Sequence, residues 1–216
     1  MKRAGIFHLC RCLLKGQSIA RVLLNRAFVE ETLRGRVVDV GGGRNPDYVE
    51  YFKKEEGVRI EAVDGQISGI NFERDPLPVD TGEADTVILA NVLEHVFNYQ
   101  FLLGEIHRVL RPGGQLVGFV PFWVGYHPDP NDYFRYTKEA LLRILADAGF
   151  SDIQITPLRT SPVLSNLNSI ILSLPRILRP VCYLVCLPLE IVYLKARPES
   201  VARQPLGFIF TAYHHA

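Results

Sequence analysis

A short glycine-rich segment between two apolar runs carries the residues best suited to chemistry. The β-branched run 37–40 contains Asp39 and is followed at once by the three glycines 41–43. Glycine lets a backbone approach a ligand closely and adopt positive φ angles. A second run, 58–63, ends at Asp64, 21 residues after the last glycine. An acid at this distance is placed to accept hydrogen bonds from the hydroxyls of a ribose.

The glycine pattern argues against the commonest nucleotide sites. A dinucleotide fingerprint, G-x-G-x-x-G, would need its third glycine at position 46, which is Pro46, and no Gly-Lys-Ser/Thr phosphate loop is present. The pattern therefore favours an adenosine ligand without phosphates. Asn45 is suited to cap a helix here, with Pro46 in its first position. Taken alone, the glycines are also compatible with a structural turn between a strand and a helix.

A second group of reactive side chains lies in the segment 121–137. This segment follows another apolar run, at the strand end where open α/β sheets bind ligands, and it is rich in aromatic residues. His127 is suited to act as a general base because imidazole titrates near neutral pH, and Asp132 could orient it. Arg135 fits either an acidic group on a substrate or a structural ion pair with a nearby acid.

Three further motifs follow the glycine turn in order. They are Asp75-Pro76-Leu77-Pro78, the run 84–96 that ends in Leu93-Glu94-His95-Val96, and the run 105–114 that ends in Arg111-Pro112-Gly113-Gly114. In this order and spacing the chain resembles the class I S-adenosylmethionine-dependent methyltransferases, in the branch that acts on small molecules. The resemblance covers Arg36 to Thr156. It is far more specific for the cofactor, S-adenosyl-L-methionine, than for the methyl acceptor.

The resemblance implies a set of cofactor contacts. Asp39 would help to hold the ammonium group of the cofactor, Asp64 the ribose hydroxyls and Asp75 the adenine amino group. The full implied set is Asp39, Gly41, Gly42, Gly43, Asp64, Gly65, Asp75, Leu77, Asn91 and His95. Asp75 and His95 also have ordinary interpretations, as a turn residue before Pro76 and as a residue at a helix start. The chain departs from the family pattern at Asn45, where a third motif glycine often stands.

The resemblance also bears on the acceptor. Segments similar to 121–137, with a histidine followed by Asp-Tyr-x-Arg-Tyr/Phe-Thr, occur in methyltransferases of glycan and lipid-linked sugar pathways. We therefore predict O-methylation of a small-molecule, sugar or lipid-linked acceptor. The predicted catalytic residues are His127, Asp132 and His95, and the predicted acceptor contacts are Trp123, Tyr126, Tyr133 and Arg135. No metal site is expected. The alternatives are a non-catalytic cofactor-binding protein and another group transfer on the same fold.

Hydrophobic periodicity predicts the elements that hold these residues. Strands are predicted at 36–41, 58–64, about 70–72, 85–90, 115–120, 150–157 and 206–213, with helices in 5–34 and at 46–56, 98–111 and 138–148, and a turn at 112–114. Strands that alternate with helices indicate an α/β fold, here a mostly parallel Rossmann-like sheet of about seven strands with helices on both faces. The resemblance adds that the last strand is antiparallel and lies beside the fifth.

Charge is unevenly distributed although the net charge is only +1. Residues 1–36 carry a net +6, residues 37–158 a net −9 and residues 159–216 a net +4. An acidic central part argues against a nucleic-acid partner, since phosphates bind basic surfaces. We predict a basic helical segment at 1–35 and a methyltransferase domain at 36–216, with an apolar helical insertion at 160–203.

The two basic flanks leave two interpretations open: a helical cap on the core, or a peripheral contact with a membrane surface. The uncharged runs of the insertion are shorter than the ~18–20 residues that span a bilayer. The four cysteines have spacings that match no ordinary zinc site and favour free thiols in a reducing compartment. No secretory signal is recognised, so the expected location is the cytoplasm, with the inner face of a membrane as the alternative.

Overall fold

The computed structural model of the chain describes residues 5–43, 46–199 and 203–215, and for Gln66 the backbone alone. In chain order the regular elements are α1 (Ile6–Leu14), α2 (Ile19–Phe28), β1 (Thr32–Leu33), β2 (Arg36–Val40), a 3₁₀ turn (Asp47–Tyr51), β3 (Lys53–Lys54), β4 (Arg59–Val63), α3 (Gly65–Ser68), β5 (Ala84–Ala90), a second 3₁₀ turn (Leu93–His95), α4 (Tyr99–Val109), β6 (Leu110–Pro121), α5 (Lys138–Asp147), β7 (Ser151–Pro157), α6 (Pro162–Ile171), α7 (Leu178–Ala196) and β8 (Gly207–Tyr213).

Six of the strands form one sheet in the order β4-β2-β5-β6-β8-β7. β4, β2, β5 and β6 are parallel. β8 runs antiparallel to β6, since Gly113 and His214 bond at one end of the pair and Phe122 and Leu206 at the other. The predicted α/β class is therefore confirmed. The prediction of an antiparallel last strand beside the fifth predicted strand, 115–120, is also confirmed, since these two strands are β8 and β6 of the structure. Because parallel strands share one carboxyl edge, the residues that follow β2, β4, β5 and β6 gather there.

The third strand predicted near 70–72 is wrong. This segment forms a turn, in which the N–H groups of Arg74 and Asp75 donate to the carbonyl oxygen of Asn71 at 3.1 and 2.9 Å. The N–H of Asn71 in turn donates to Oδ2 of Asp75 at 2.9 Å. An aspartate that bonds nearby backbone groups competes with strand pairing, which explains the outcome.

The prediction of a first crossover helix at 46–56 is also wrong. One turn of 3₁₀ helix (Asp47–Tyr51) begins after Pro46 and ends at Phe52, whose ψ of 146° is extended. Lys53–Lys54 then pairs in parallel with Thr32–Leu33 as a separate two-stranded sheet. The helix cap predicted at Asn45 lies outside the described residues.

The turn predicted at 112–114 belongs instead to the long strand β6. Gly113 donates to the carbonyl of His214 at 2.6 Å, and His214 donates back to the carbonyl of Gly114 at 3.0 Å. This reciprocal pair extends the ladder with β8 through the glycines. The other predicted strands and helices agree with the structure within a few residues.

The chain divides into two compact units. The sheet unit comprises the described residues within 29–121, 126–156 and 208–216, and it carries the six-stranded sheet with α3, α4 and α5. The helical unit comprises those within 1–28, 122–125 and 157–207. Its four helices pack in pairs: α1 on α2, α1 on α7, α2 on α6, and α6 on α7.

Side-chain bonds also join the segments of the helical unit. Oδ1 of Asn168 in α6 accepts from the N–H of Ala20 in α2 at 2.9 Å. The buried carboxylate of Glu190 in α7 accepts from the N–H of Ser161 at 2.8 Å. The four cysteine thiols of this unit are free. Among the described helices, none combines the length and the apolar character needed to cross a bilayer.

Candidate active site

The glycine turn after β2 closes around a buried carboxylate. Gly41 and Gly43 have φ angles of 78° and 64°. A Cβ on Gly42 would lie 2.1 Å from Oδ2 of Asp39, so this position has no room for a side chain. Asp39 is fully buried, and its Oδ1 accepts from the hydroxyl of Tyr48 at 2.7 Å. Its Oδ2 has no hydrogen-bond partner among the described residues. Burial raises the pKa of Asp39 to about 6, against the opposing effect of the Tyr48 bond.

Asp64 joins this turn to the next strand end. Its Oδ2 accepts from the N–H of Gly43 and its Oδ1 from the N–H of Ile67, both at 3.2 Å. A carboxylate offers about four acceptor sites, so these bonds are compatible with further bonds to ribose hydroxyls. Gly65 opens α3 directly after Asp64, where a Cβ would lie 3.0 Å from the carbonyl oxygen of Ile70.

The segment predicted to hold adenine is fixed by an ion pair. Leu77 is buried, and its N–H donates to Oε2 of Glu105 at 2.9 Å. Arg108 donates to the same carboxylate at 2.7 Å and to the carbonyl oxygen of Leu77 at 3.1 Å. The Arg108 guanidinium holds the pKa of Glu105 below its usual value. Asp75 forms the turn bond to Asn71, which matches its ordinary interpretation and leaves its adenine contact a prediction.

Asn91 marks the carboxyl end of β5 with a strained backbone. Its φ of 56° is in the left-handed region, and its N–H donates to the carbonyl of Phe119 at 3.0 Å. Strain of this kind in a residue other than glycine costs about 1–3 kcal/mol and is concentrated at functional sites. The next residue, Val92, touches the glycine turn, because a Cβ on Gly41 would lie 2.4 Å from its Cγ2. The two strand ends are thus in direct contact.

The loop after β6 is bonded to the 3₁₀ turn after β5. The carbonyl oxygen of Glu94 accepts from the N–H groups of Tyr133 and Phe134 at 2.8 and 3.3 Å. The buried hydroxyl of Tyr136 donates to the carbonyl of Leu93 at 3.3 Å. These bonds bring the side chains of Glu94, His95 and His127 together, which we call the Glu–His–His cluster.

Within the Glu–His–His cluster, a buried carboxylate faces two imidazoles. Oε1 of Glu94 lies 3.6 Å from Nε2 of His95 and 3.8 Å from Nε2 of His127. The ring centroids of the histidines are 5.2 Å apart. The Glu94 side chain is 0% exposed, against 12% and 38% for the two histidines, so the cluster opens to solvent on the His127 side.

The two imidazoles have different hydrogen-bond partners. Nδ1 of His95 lies 2.6 Å from the carbonyl oxygen of Asn131. A carbonyl only accepts, so Nδ1 carries the proton and Nε2 presents its lone pair to the cluster. Nδ1 of His127 instead lies 3.2 Å from Nη2 of Arg135. A guanidinium only donates, so in the neutral ring this Nδ1 accepts and Nε2 carries the proton.

Asp132 and Arg135 form an ion pair beside His127. Arg135 donates to Oδ2 of Asp132 at 2.7 Å, and this pairing is the main reason why the pKa of Asp132 is lowered. The same oxygen accepts from the backbone N–H of His127 at 2.9 Å but lies 3.6 Å from the ring Nδ1. Asp132 therefore fixes the backbone of His127 directly, and Arg135 has the structural pairing that its sequence context allowed.

The predicted acceptor contacts fall into two groups. Tyr133 is 42% exposed and packs edge-on against Phe97, itself 60% exposed, at 5.3 Å between ring centroids. Tyr126, in the same loop, is 77% exposed. Trp123 belongs to the helical unit, where its backbone N–H donates to the carbonyl oxygen of Pro205 at 3.2 Å.

Three residues of this site were not predicted. Glu94 stands in the Leu-Glu-His motif, but nothing in the sequence says that its carboxylate is buried. Tyr48 lies nine positions from Asp39, and Asn131 acts through its carbonyl oxygen. Glu94 could have been predicted from its position just after a strand and next to His95, a predicted site residue. A main-chain acceptor such as that of Asn131 has no side-chain signal at all.

Comparison with known proteins places the chain in a family. A family model described as a methyltransferase domain matches residues 15–155. An uncharacterised 37.1 kDa protein of a Streptomyces fradiae transposon is 29% identical over 140 residues, which is 57% of this chain and 39% of that protein.

Two solved structures with a similar fold contain ligands. Phosphoethanolamine N-methyltransferase 2 of Haemonchus contortus, in complex with S-adenosyl-L-methionine, has a TM-score of 0.55 at 14% identity, over 100% of this chain and 58% of that one. The 1,6-didemethyltoxoflavin-N1-methyltransferase of Burkholderia thailandensis, with S-adenosylhomocysteine, has a TM-score of 0.54 at 17% identity, over 100% and 93%. The predicted membership is confirmed: this chain belongs to the methyltransferase-domain family and has the fold of the S-adenosylmethionine-dependent enzymes.

Proposed function

We propose that this protein transfers the methyl group of S-adenosylmethionine to a hydroxyl oxygen of a small-molecule, sugar or lipid-linked acceptor. The observation that carries the proposal is the Glu–His–His cluster, whose Glu94 and His95 follow the end of β5 directly after Val92, the residue that touches the glycine turn. Both solved neighbours are named for nitrogen acceptors, but likenesses at 14% and 17% identity bear on the fold alone. The acceptor atom is therefore argued from this chain's own residues.

A hydroxyl acceptor needs a base, and the Glu–His–His cluster provides one. In the transfer, the acceptor oxygen forms a bond to the methyl carbon as the carbon–sulfur bond breaks, and the sulfonium becomes a neutral thioether. The hydroxyl proton must leave, because a neutral hydroxyl is a weak nucleophile. Nε2 of His95 presents a lone pair beside the buried Glu94 carboxylate, which would stabilise the imidazolium that forms.

This geometry divides the roles of the two histidines. His127 was predicted to be the base, yet Arg135 faces its Nδ1 and leaves Nε2 protonated in the neutral ring. We infer that His95 accepts the proton and that the half-exposed His127 donates through Nε2 to the acceptor oxygen or to Glu94. The exposed aromatic pair Phe97 and Tyr133 suits an apolar part of the acceptor.

The test is a transfer assay with methyl-labelled S-adenosylmethionine and a panel of free sugars, polyprenyl-linked sugars and phenols, each with its amino analogue. We expect a product only with hydroxyl acceptors. His95→Ala and His127→Ala should each lower kcat by about 10²–10⁴-fold with little change in cofactor affinity. His215→Ala, which removes an exposed histidine paired with Asp152, is the control. The proposal would be ruled out if both cluster variants turned over as fast as the wild type, or if only the amino analogues were methylated.

The helical unit supports a lipid-linked acceptor. Apolar side chains of α7 lie exposed along much of its length: Leu178, Val181, Leu184, Val185, Leu189, Ile191 and Val192. In α1, exposed Ile6 and Phe7 stand near exposed Arg11 and Lys15. Apolar side chains with basic neighbours are typical of helices that lie in a membrane interface. We propose that this surface contacts anionic lipid and brings the enzyme to its acceptor.

A further inference from the structure

The Glu–His–His cluster also has the geometry of a metal site. Among the described residues, one carboxylate oxygen of Glu94 and one nitrogen from each of His95 and His127 all lie within 4.8 Å of one another. Two ligands about 2.1 Å from a tetrahedral ion stand about 3.4 Å apart. The two measured distances to Glu94, 3.6 and 3.8 Å, are only a few tenths of an ångström wider. The two histidine nitrogens lie within 4.8 Å of each other, so one ion could bind all three groups after the imidazole rings move closer together.

The Glu94 carboxylate supplies an independent reason for a cation. Its side chain is 0% exposed, and neither of its oxygens accepts a hydrogen bond from any described residue. Burying an ionised carboxylate without partners is costly, and buried charges are normally paired or bound to metals. The guanidinium of Arg135, which contacts His127, is paired with Asp132. Arg135 acts on Glu94 through Coulombic attraction, and a bound ion would supply the direct partner that the Glu94 oxygens lack among the described residues.

The group behind His95 resembles the outer shell of a metal site. The Nδ1–H of His95 donates to the carbonyl oxygen of Asn131, which directs the Nε2 lone pair towards Glu94. Metal binding at Nε2 of His127 would put the ring proton on Nδ1, which now lies 3.2 Å from the donor Nη2 of Arg135 and 3.6 Å from the Asp132 carboxylate, so this ring would have to turn towards Asp132. Histidine ligands usually donate their second N–H to a carbonyl or a carboxylate, as His95 does to the carbonyl of Asn131.

We propose that Glu94, His95 and His127 bind one divalent transition-metal ion of the zinc type. Two imidazoles and one carboxylate are a common ligand set for such ions and leave coordination positions open, whereas magnesium and calcium prefer oxygen ligands. The role of the ion rests on the proposed function. The ion would bind the acceptor hydroxyl and lower its pKa, so that the proton passes to water before the oxygen takes the methyl group. The imidazoles would then serve as ligands.

Cobalt(II) and zinc titrations of the full chain, stripped with a chelator, test the site. We expect one ion per chain by calorimetry and a visible absorption band from bound cobalt. His95→Ala, His127→Ala and Glu94→Gln should each weaken binding by at least about 100-fold, because each removes one ligand. His215→Ala should bind as the wild type does. Circular dichroism checks that each variant is folded. If Glu94→Gln does not fold, the two histidine variants are enough to test the site.

The outcomes separate this proposal from the proposed function. If the wild type binds no ion, or if both cluster histidine variants bind as tightly as His215→Ala, the metal site does not exist. That result leaves metal-free transfer to a hydroxyl intact. If ions bind at the cluster but no hydroxyl acceptor is methylated, the proposed function fails and the site stands. Transfer that is lost with the chelator and restored by zinc or cobalt supports both.

Discussion

Asp39 combines two demands that usually conflict. It is fully buried, and among the described residues its carboxylate accepts from the Tyr48 hydroxyl at Oδ1 and has no partner at Oδ2, so its ionised form is penalised in the folded protein. A cofactor ammonium group at Oδ2 would remove part of that penalty. We therefore infer that the free protein gives up stability at Asp39 in order to bind the cofactor ammonium group, as is common at functional sites.

We expect Asp39→Asn to stabilise the free protein while it weakens cofactor binding. The folded-state pKa of Asp39, about 6, is above its ordinary value of 3.8. The folded state therefore binds the proton more tightly than the unfolded state. Stability falls as pH rises between these two values and is level above them. The variant should be more stable than the wild type by up to about 3 kcal/mol at pH 8 and equal to it below pH ~4.

Urea unfolding at the two pH values measures this difference, and calorimetry measures the loss of affinity for S-adenosylmethionine. Asp147→Asn is the control because that side chain is 63% exposed. A variant that is less stable than the wild type at pH 8 would contradict the burial argument.

At the level of residues, spacing relates Asp64 to the glycine turn more directly than it relates the residues of 121–137 to one another. The distance from the glycines to Asp64 reflects the length of one strand–turn–strand unit, and Asp64 does bond to Gly43. The pairing of Asp132 with Arg135 rather than with the His127 ring depends on the path of an irregular loop. The burial of Glu94 depends on which side of a 3₁₀ turn faces the core. Neither property has a periodic signal.

Among the elements, the crossover after β2 shows why the local sequence pattern predicted a helix that the structure does not contain. Tyr48, Val49 and Phe52 are buried, and their spacing fits a helix as well as a turn. The structure instead pairs Lys53–Lys54 with Thr32–Leu33, a contact between segments about twenty residues apart. Such pairing is decided by tertiary contacts rather than by local propensity. Elements with strong periodicity, such as α4 and α5, were predicted within a few residues.

Replacing each of two glycines in regular elements by alanine should change the free energy of unfolding in opposite directions. A Cβ on Gly118 in β6 would lie 2.2 Å from Cζ of Phe210 in β8 and 2.6 Å from the carbonyl oxygen of Leu89. Gly118→Ala should therefore destabilise the fold by about 1–3 kcal/mol. Gly104 in α4 is exposed, and a Cβ added there would meet no other atom within 4 Å, so Gly104→Ala should stabilise by about 0.5–1 kcal/mol.

Denaturant unfolding of the two variants beside the wild type checks this pair of predictions. If Gly118→Ala is as stable as the wild type, the close approach of β6 to Phe210 is relieved by movement of the ring and the backbone. If Gly104→Ala is destabilised, the helix-propensity argument for that position is wrong.

Over the whole molecule, charge and exposed apolar surface coincide in the helical unit. The two sequence flanks that carry net charges of +6 and +4 supply most of that unit. Basic residues near an anionic surface contribute about 1 kcal/mol each, and apolar side chains add to this on insertion. We expect the protein to float with anionic vesicles at low salt and to be released at high salt.

The double variant Val181→Asp, Val185→Asp should stay in the soluble fraction, because it places two acids on the exposed face of α7. Leu142→Asp in α5 changes a comparably exposed apolar side chain of the sheet unit and should float as the wild type does. If the wild type does not float at low salt, the lipid contact is wrong. Loss of a dimer in the double variant, without any effect on vesicles, would assign the α7 face to a second copy.

The end of the sheet at β4 has a consequence for how the protein behaves at high concentration. Among the described strands, β4 is paired only with β2, so its outer backbone groups are open to another strand. Four of its five residues are exposed, and two of these, Arg59 and Glu61, are charged. Open strands are where chains join into fibrils, and short, charged ones resist it. The charges of Arg59 and Glu61 thus oppose aggregation at this edge.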